Sequence, residues 1–400
     1  MEGRDFIITS LQPWDIEIGS TIKNTAVEIS KRNRVLYINT PLDLTAMRNK
    51  NSKINAHRVA AMKGEEPCVR QINANMWIID CPFMVFPVSK LPTAWLFDIV
   101  NKYNNRKIGR YLQGVIRQFE VQNFIHLIDT DIYRSRYLKG LIDPAVSVYY
   151  CRDFVIGDKY WLKHGRRVED ELARSSDIVL ANSTFFAERF RQLNPNTFPI
   201  ETGVNLSVYD SSKAYSVPDD MKSIARPIIG YMGTVNSTRL DIPLLEELAA
   251  RCRQWNFVFV GPEDETFASS QLHGMDNVYF LGRKETHEVP AYINAFDVCI
   301  NPQIVNDVTI GNYPLKADEY LAMGKPMVAT ETHTMRDVFG NYTHLANGCD
   351  EYIEAIGKAL GEVGDQRLRS ERIAYAHTHS WENSVKKIYR IIEDYENSKR

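Results

Sequence analysis

The chain has no uninterrupted apolar run near the ~20 residues that a bilayer span requires, so a membrane-crossing helix is not expected. It has no CxxC pair and no short Cys/His cluster. Its cysteines (Cys68, Cys81, Cys151, Cys252, Cys299 and Cys349) are scattered over 400 residues, which supports neither a zinc site nor a redox motif. Cys299 lies in an apolar run and reads as a buried thiol. The opening MEGRDFIITS lacks the apolar core and small-residue cleavage site of a signal peptide. A cytoplasmic protein with reduced thiols is therefore expected. Hydrophobic residues at 44% and charged residues at 24% are ordinary globular usage. That excludes a disordered tail protein, a collagen-like fibre and a disulfide-stapled miniprotein. The length allows two or three domains at ~150 residues each.

The chain also has almost no net charge, only -2. The signs are nevertheless segregated. Residues 1–200 carry 28 Lys+Arg against 21 Asp+Glu, a balance of +7, and residues 201–400 carry 20 against 29, a balance of -9. Either the halves meet different partners or two surfaces are solvated differently by chance. The basic excess concentrates in two acid-free runs. Residues 44–64 hold Arg48, Lys50, Lys53, Arg58 and Lys63; residues 99–119 hold Lys102, Arg106, Lys107, Arg110 and Arg117. Phe83, Phe86, Trp95 and Phe97 precede the second run. A basic, aromatic-flanked face suits an anionic membrane surface. Nucleic acid is the competing partner, but no recognised nucleic-acid module accompanies the runs. The plain alternative is a solvated helical face.

The apolar pattern is that of parallel α/β units. Phe6–Thr9 reads as a strand, followed by a turn at Gly19-Ser20, a helix through Ile22, Ala26 and Ile29, and a strand at 34–39. Further strands read at 76–79, 124–128, 146–150 and 178–181. The pattern dissolves into Asn, Pro, Gly and Ser over 195–215, read as a domain boundary. A second series follows, with strands at 227–232, 256–260, 278–281, 296–300 and 326–329. Three of these run into glycine, at Gly233, Gly261 and Gly282. Glycine beyond the carboxyl end of a parallel strand either simply ends the strand or lets a ligand approach the backbone. The tail 381–395 is amphipathic, with Val385, Ile388, Tyr389 and Ile392 at helical spacing. It packs either on its own domain or back on the first.

Residues 314–330 run Pro-Leu-Lys-Ala-Asp-Glu-Tyr-Leu-Ala-Met-Gly-Lys-Pro-Met-Val-Ala-Thr. They resemble the donor-binding signature of GT-B glycosyltransferases, in which a glutamate opens a helix that leads to Gly-x-Pro and a strand. Glu319, Gly324 and Pro326 fit that spacing. Residues 230–233, 257–262, 278–283 and 290–302 resemble, in order, the phosphate loop, a strand ending in Val-Gly-Pro, the base-facing loop and a Pro-x-Tyr helix. Residues 172–193 and 202–205 resemble the helix-strand-helix and the linker entry of the first domain. The branch that includes teichuronic-acid and other surface-polysaccharide transferases is most similar. The resemblance runs from Asp5 to Tyr395.

It implies an α/β fold of two Rossmann-like, doubly wound domains facing a cleft: an acceptor domain over 1–200, a donor domain over 201–378, and a helix over 379–400 returning to the first. It implies a nucleotide-sugar donor, no cofactor and no metal. The implied donor-binding residues are Gly233, Thr234, Arg239, Gly261, Arg283, Lys284, Asn312, Tyr313, Pro314, Leu315, Lys316 and Glu319. An ionised Glu319 suits the ribose diol as acceptor of two hydrogen bonds, though a surface helix acid is the plain alternative. The amides near Pro314 suit the diphosphate. Two departures stand out. Relatives carry a second glutamate where this chain has Gly311, and an arginine where it has Thr234. Lys316, one turn before Glu319, can supply the missing positive charge or can be an ordinary solvated lysine.

On the first domain, Gly19, Ser20, Asp129, Asp131 and Arg152 are the implied acceptor residues. Asp153 is the candidate catalytic base, with a helix N-cap as its other reading. The expected function is transfer of a sugar to a glycan or a lipid-diphosphate-linked acceptor in surface-polysaccharide assembly, with peripheral contact on anionic membrane and no nucleic acid. A sugar-nucleotide epimerase of the same fold and a non-catalytic nucleotide-sugar-binding subunit are the alternatives.

Overall fold

A computed structural model describes residues 1–16, 20–48, 53–157, 159–306 and 309–399. The chain forms two compact units, one of residues 1–200 with 384–400 and one of residues 201–383. No described helix is long and apolar enough to cross a membrane.

The first unit is built on β1 (Asp5–Ser10), β2 (Arg34–Asn39), β3 (Val69–Asn73), β4 (Met76–Asp80), β5 (Ile125–Asp129), β6 (Val146–Cys151), β7 (Ile178–Ala181) and β8 (Thr197–Pro199). They lie in the order β3-β4-β2-β1-β5-β6-β7-β8. Every pairing is parallel except β3 with β4. Helices cover both faces of such a sheet, so the central strands read as near-continuous apolar runs. β3 is the exception: Val-Arg-Gln-Ile-Asn is a partly exposed antiparallel edge, and the apolar pattern does not reveal it. β8 lies within the stretch read as a domain boundary. It is only Thr-Phe-Pro, held by pairing to β7.

The helix Trp381–Ser398 belongs to the first unit from Ser384 onward. Its stripe of Val385, Ile388, Tyr389 and Ile392 is buried with Phe6, Ile8 and Ile22. Polar contacts fix its register. Asn33 Nδ2 donates to the Tyr389 hydroxyl at 2.8 Å, and the Tyr395 hydroxyl donates to Asp177 at 2.6 Å.

The second unit has β9 (Ile228–Met232), β10 (Asn256–Val260), β11 (Val278–Phe280), β12 (Val298–Asn301), β13 (Met327–Thr330) and β14 (His344–Ala346), all parallel, in the order β11-β10-β9-β12-β13-β14. Strand order reverses between β9 and β12. In open parallel sheets this switch point, beyond the carboxyl ends of the strands, is where ligands bind. Two apolar layers enclose the sheet, one holding Met232, Phe296 and Tyr320, the other Phe257, Phe259 and Leu248. Residues 379–383 stay with this unit. The Val204 amide donates to the His379 carbonyl at 2.8 Å, and Gly203 lies against Trp381.

Candidate functional site

The loops after β9 and β10 meet at two glycines. Gly233 has φ 135° and Gly261 has φ 148°. The Gly233 amide donates to the Val260 carbonyl at 2.8 Å. A Cβ built on Gly261 would lie 2.0 Å from the Gly233 carbonyl oxygen. Both the backbone angle and the close approach therefore demand glycine. A Cβ on Gly233 would in turn lie 2.9 Å from Lys316 Nζ. The Lys316 side chain thus reaches across the glycine loop, its ammonium 5.2 Å from the centre of the Tyr231 ring.

Lys316 and Glu319 stand one turn apart on the helix Leu315–Ala322. The Tyr209 hydroxyl hydrogen-bonds Glu319, which is half-buried. Burial pushes the Glu319 carboxyl up to about 7; Lys316 and the Tyr209 hydroxyl oppose the rise, and neighbouring Asp318 adds to it. A glycine-loop backbone, an ammonium and an adjacent carboxylate can hold a ligand that presents phosphate and hydroxyls a few ångströms apart.

Asp318 faces the other way. It is fully buried, accepts from the Tyr313 hydroxyl at 2.8 Å, and lies 2.7 Å from His379 Nδ1. Burial raises its carboxyl while His379 and Tyr313 pull it down. Tyr313 thus anchors the helix to residue 379 and does not point its hydroxyl toward Lys316. Pro314 caps the helix, with the Ala317 amide bonding its carbonyl at 2.9 Å, and the Leu315 amide bonds the Tyr313 carbonyl at 3.2 Å. Asn312 is buried, and its Oδ1 has no partner among the described residues.

The other expected donor residues are less closely gathered. Thr234 is exposed, and its carbonyl accepts from the Tyr231 hydroxyl at 3.1 Å. Arg239 is exposed; its backbone is tied to Asn236 and Ile304. Arg283 is exposed just after Gly282, which has φ 67°. Lys284 is already engaged. It bonds Asp220 at 2.6 Å and lies 5.0 Å from the Tyr292 ring centre, and these contacts raise its pKa against the opposing effect of burial.

On the first unit, Asp129 at the end of β5 is fully buried and makes a bidentate pair with Arg152, to which the Ser10 hydroxyl adds a bond of 2.6 Å. Asp129 and Arg152 therefore satisfy each other. Asp131 caps the short helix Ile132–Ser135, and its buried Oδ2 has no partner among the described residues. Burial raises its pKa against the pull of Arg134. Asp153 is half-exposed, 3.8 Å from Arg152 Nη1. Ser20 caps the helix Thr21–Ser30 through a bond from the Lys23 amide at 3.3 Å. Gly19 lies outside the described residues. Among the described residues, no group of three or more His, Cys, Asp or Glu is placed to hold a metal.

No motif singles out Tyr209 or His379. The one available signal for Tyr209 was an aromatic residue within a polar linker stretch, and for His379 its place just before the tail helix.

Residues 226–362 match the family model described as glycosyl transferases group 1. TuaH of Bacillus subtilis (strain 168), whose name assigns it to teichuronic acid biosynthesis as a glycosyltransferase, is 28% identical over 189 residues. That match covers 46% of this chain and 47% of TuaH, so it spans about half the length of the curated relative. Among solved structures, HepE of Anabaena in complex with UDP is similar with a TM-score of 0.66 at 14% identity, covering 98% of this chain and 100% of that one. Sucrose-phosphate synthase of Thermosynechococcus elongatus has a TM-score of 0.66 at 15% identity, covering 99% and 100%. The chain has the GT-B fold, and its match to the group 1 glycosyl transferase model falls within the second unit.

Proposed function

We propose that the protein transfers a sugar, a hexose by class, from a nucleotide-diphosphate donor to a hydroxyl of a glycan or lipid-linked acceptor in surface-polysaccharide assembly. The observation that carries this is the convergence of Gly233, Gly261, Lys316 and Glu319 at the switch point of the second sheet. In this reading Glu319 accepts from the ribose hydroxyls, and Lys316, reaching over the glycine loop, holds the diphosphate. The same cation stabilises the leaving diphosphate, so no metal is required. Asp153 takes the proton from the acceptor hydroxyl. Its half-exposed carboxylate stands at the edge of the Arg152 pair, whereas Asp129 is fully buried beneath it. HepE has been solved with UDP and glucose, and that precedent supports a uridine donor.

Glu319→Ala is expected to weaken nucleotide-diphosphate binding at least tenfold in calorimetry, with little change in melting temperature. Unchanged affinity would remove the reading. Gly311 and Thr234, where relatives have charged side chains, favour a second reading as a binding subunit without catalysis. Acceptor-dependent release of nucleotide separates the two, and interconversion without acceptor would indicate an epimerase.

A further inference from the structure

The two acid-free basic runs have different fates. In the first, Arg58 is 7% exposed and donates to the Thr40 carbonyl at 3.0 Å. Arg58 belongs to the interior, and Lys50 of that run lies outside the described residues. The second run lies on the helix Ala94–Gln118, whose inner side buries Phe97, Asn101, Ile108, Leu112 and Val115.

At 100° per residue, positions 95, 99, 102, 103, 106 and 110 fall in one outward stripe about 100° wide. All six side chains are exposed. The leading half is apolar, with Trp95 at 64%, Ile99 at 58% and Tyr103 at 55% exposure. Phe86, 51% exposed, joins it with its ring centre 5.7 Å from that of Tyr103. The trailing half is Lys102, Arg106 and Arg110, and residues 99–119 contain no acid. The nearest acid on the helix, Asp98, is tied to Arg136 and to Arg167, the latter at 2.9 Å.

We infer that this stripe docks the first unit on an anionic lipid surface, the helix lying flat. Trp95, Ile99, Tyr103 and Phe86 enter the boundary between headgroups and acyl chains, while the cations meet lipid phosphates. Four large apolar tips on one patch are costly to leave in water, and their adjacency to unopposed cations selects a negatively charged partner. Ile99 offers no face for base stacking, which weighs against a nucleic acid. The inference is independent of the donor reading, since it concerns residues of the first unit alone.

The test is co-sedimentation of the full chain with vesicles of phosphatidylcholine, with and without phosphatidylglycerol. Binding is expected only to the mixed vesicles, and it should weaken with salt. The Lys102→Gln/Arg106→Gln/Arg110→Gln variant is expected to lose on the order of a hundredfold, from about fivefold per cation. Trp95→Ser/Ile99→Ser is expected to lose about tenfold. All five positions are exposed, so circular dichroism and melting temperature should match the parent. Equal binding by parent and variants, no binding to either vesicle, or equal binding to both vesicles overturns the proposal. A dimer in light scattering that the Trp95/Ile99 variant abolishes, or tighter binding of polyuridylate than of vesicles by the same residues, overturns it in favour of another occupant.

Discussion

Asp318 and Glu319 are adjacent acids with opposite assignments. One is sealed against His379 and Tyr313, and the other stands beside Lys316 under the Tyr209 hydroxyl. Because burial lifts Glu319 to about 7, its ionised fraction changes around neutrality. If the ionised form holds the ribose, nucleotide-diphosphate affinity falls as pH drops through about 7, approaching tenfold per unit. Calorimetry on either side of that pH reads this. Stability runs oppositely. The folded state holds a proton that the unfolded chain releases, so stability declines as pH rises from the ordinary carboxylate range through about 7. Glu319→Gln should remove that decline and melt higher than the parent above pH 7, which thermal scans can check. Gly261→Ala should cost roughly 1–3 kcal/mol and abolish nucleotide binding, since its Cβ collides with the Gly233 carbonyl at a positive φ. Denaturant titration alongside calorimetry measures both effects. Glu319, Lys316 and the glycines were singled out by the family resemblance, and the structure places them close together. The partners Tyr209 and His379 were not legible in the sequence, because they depend on which helix face points inward, and adjacent acids leave that undecided.

Among the elements, the long apolar strands were legible because burial on both faces writes them as unbroken Val, Ile, Leu and Phe. β3, β8 and β14 were not. Each is short or polar and exists by pairing with a neighbour rather than by its own pattern. The helix Trp381–Ser398 is an intermediate case. Its 3.6-residue stripe announced a helix with one buried face, but the stripe is equally compatible with either core. Its destination follows from tertiary contacts with Phe6, Ile8 and Asn33. Ile388→Ala, in the middle of that face, should therefore destabilise the first unit by about 3 kcal/mol while leaving nucleotide affinity of the second unit unchanged. Chemical denaturation and calorimetry on the same sample test both halves of that statement.

For the whole molecule, the charge split sharpens once the units are drawn correctly. Residues 384–400 carry five cations and three acids, which takes the first unit from +7 to +9 and the second from -9 to -11. A molecule of net charge -2 should accordingly be retained at pH 7 and low salt by both a cation and an anion exchanger. Retention by neither would mean that the two fields cancel at the surface. The discontinuous first unit also has a consequence in time. Its core lacks Val385, Ile388 and Ile392 until the second unit has also been synthesised. At elongation rates of about 5–20 residues per second the interval between emergence of Ile200 and of Ile392 is roughly 10 to 40 s. Throughout it, the groove that these side chains will fill is an open apolar surface on the ribosome, and the second unit, whose residues emerge during the same interval, is complete only near its close. A nascent chain stalled before residue 384 should thus present the hydrophobic surface that chaperones bind, and the helix Trp381–Ser398 acts as the latch that ends that exposure.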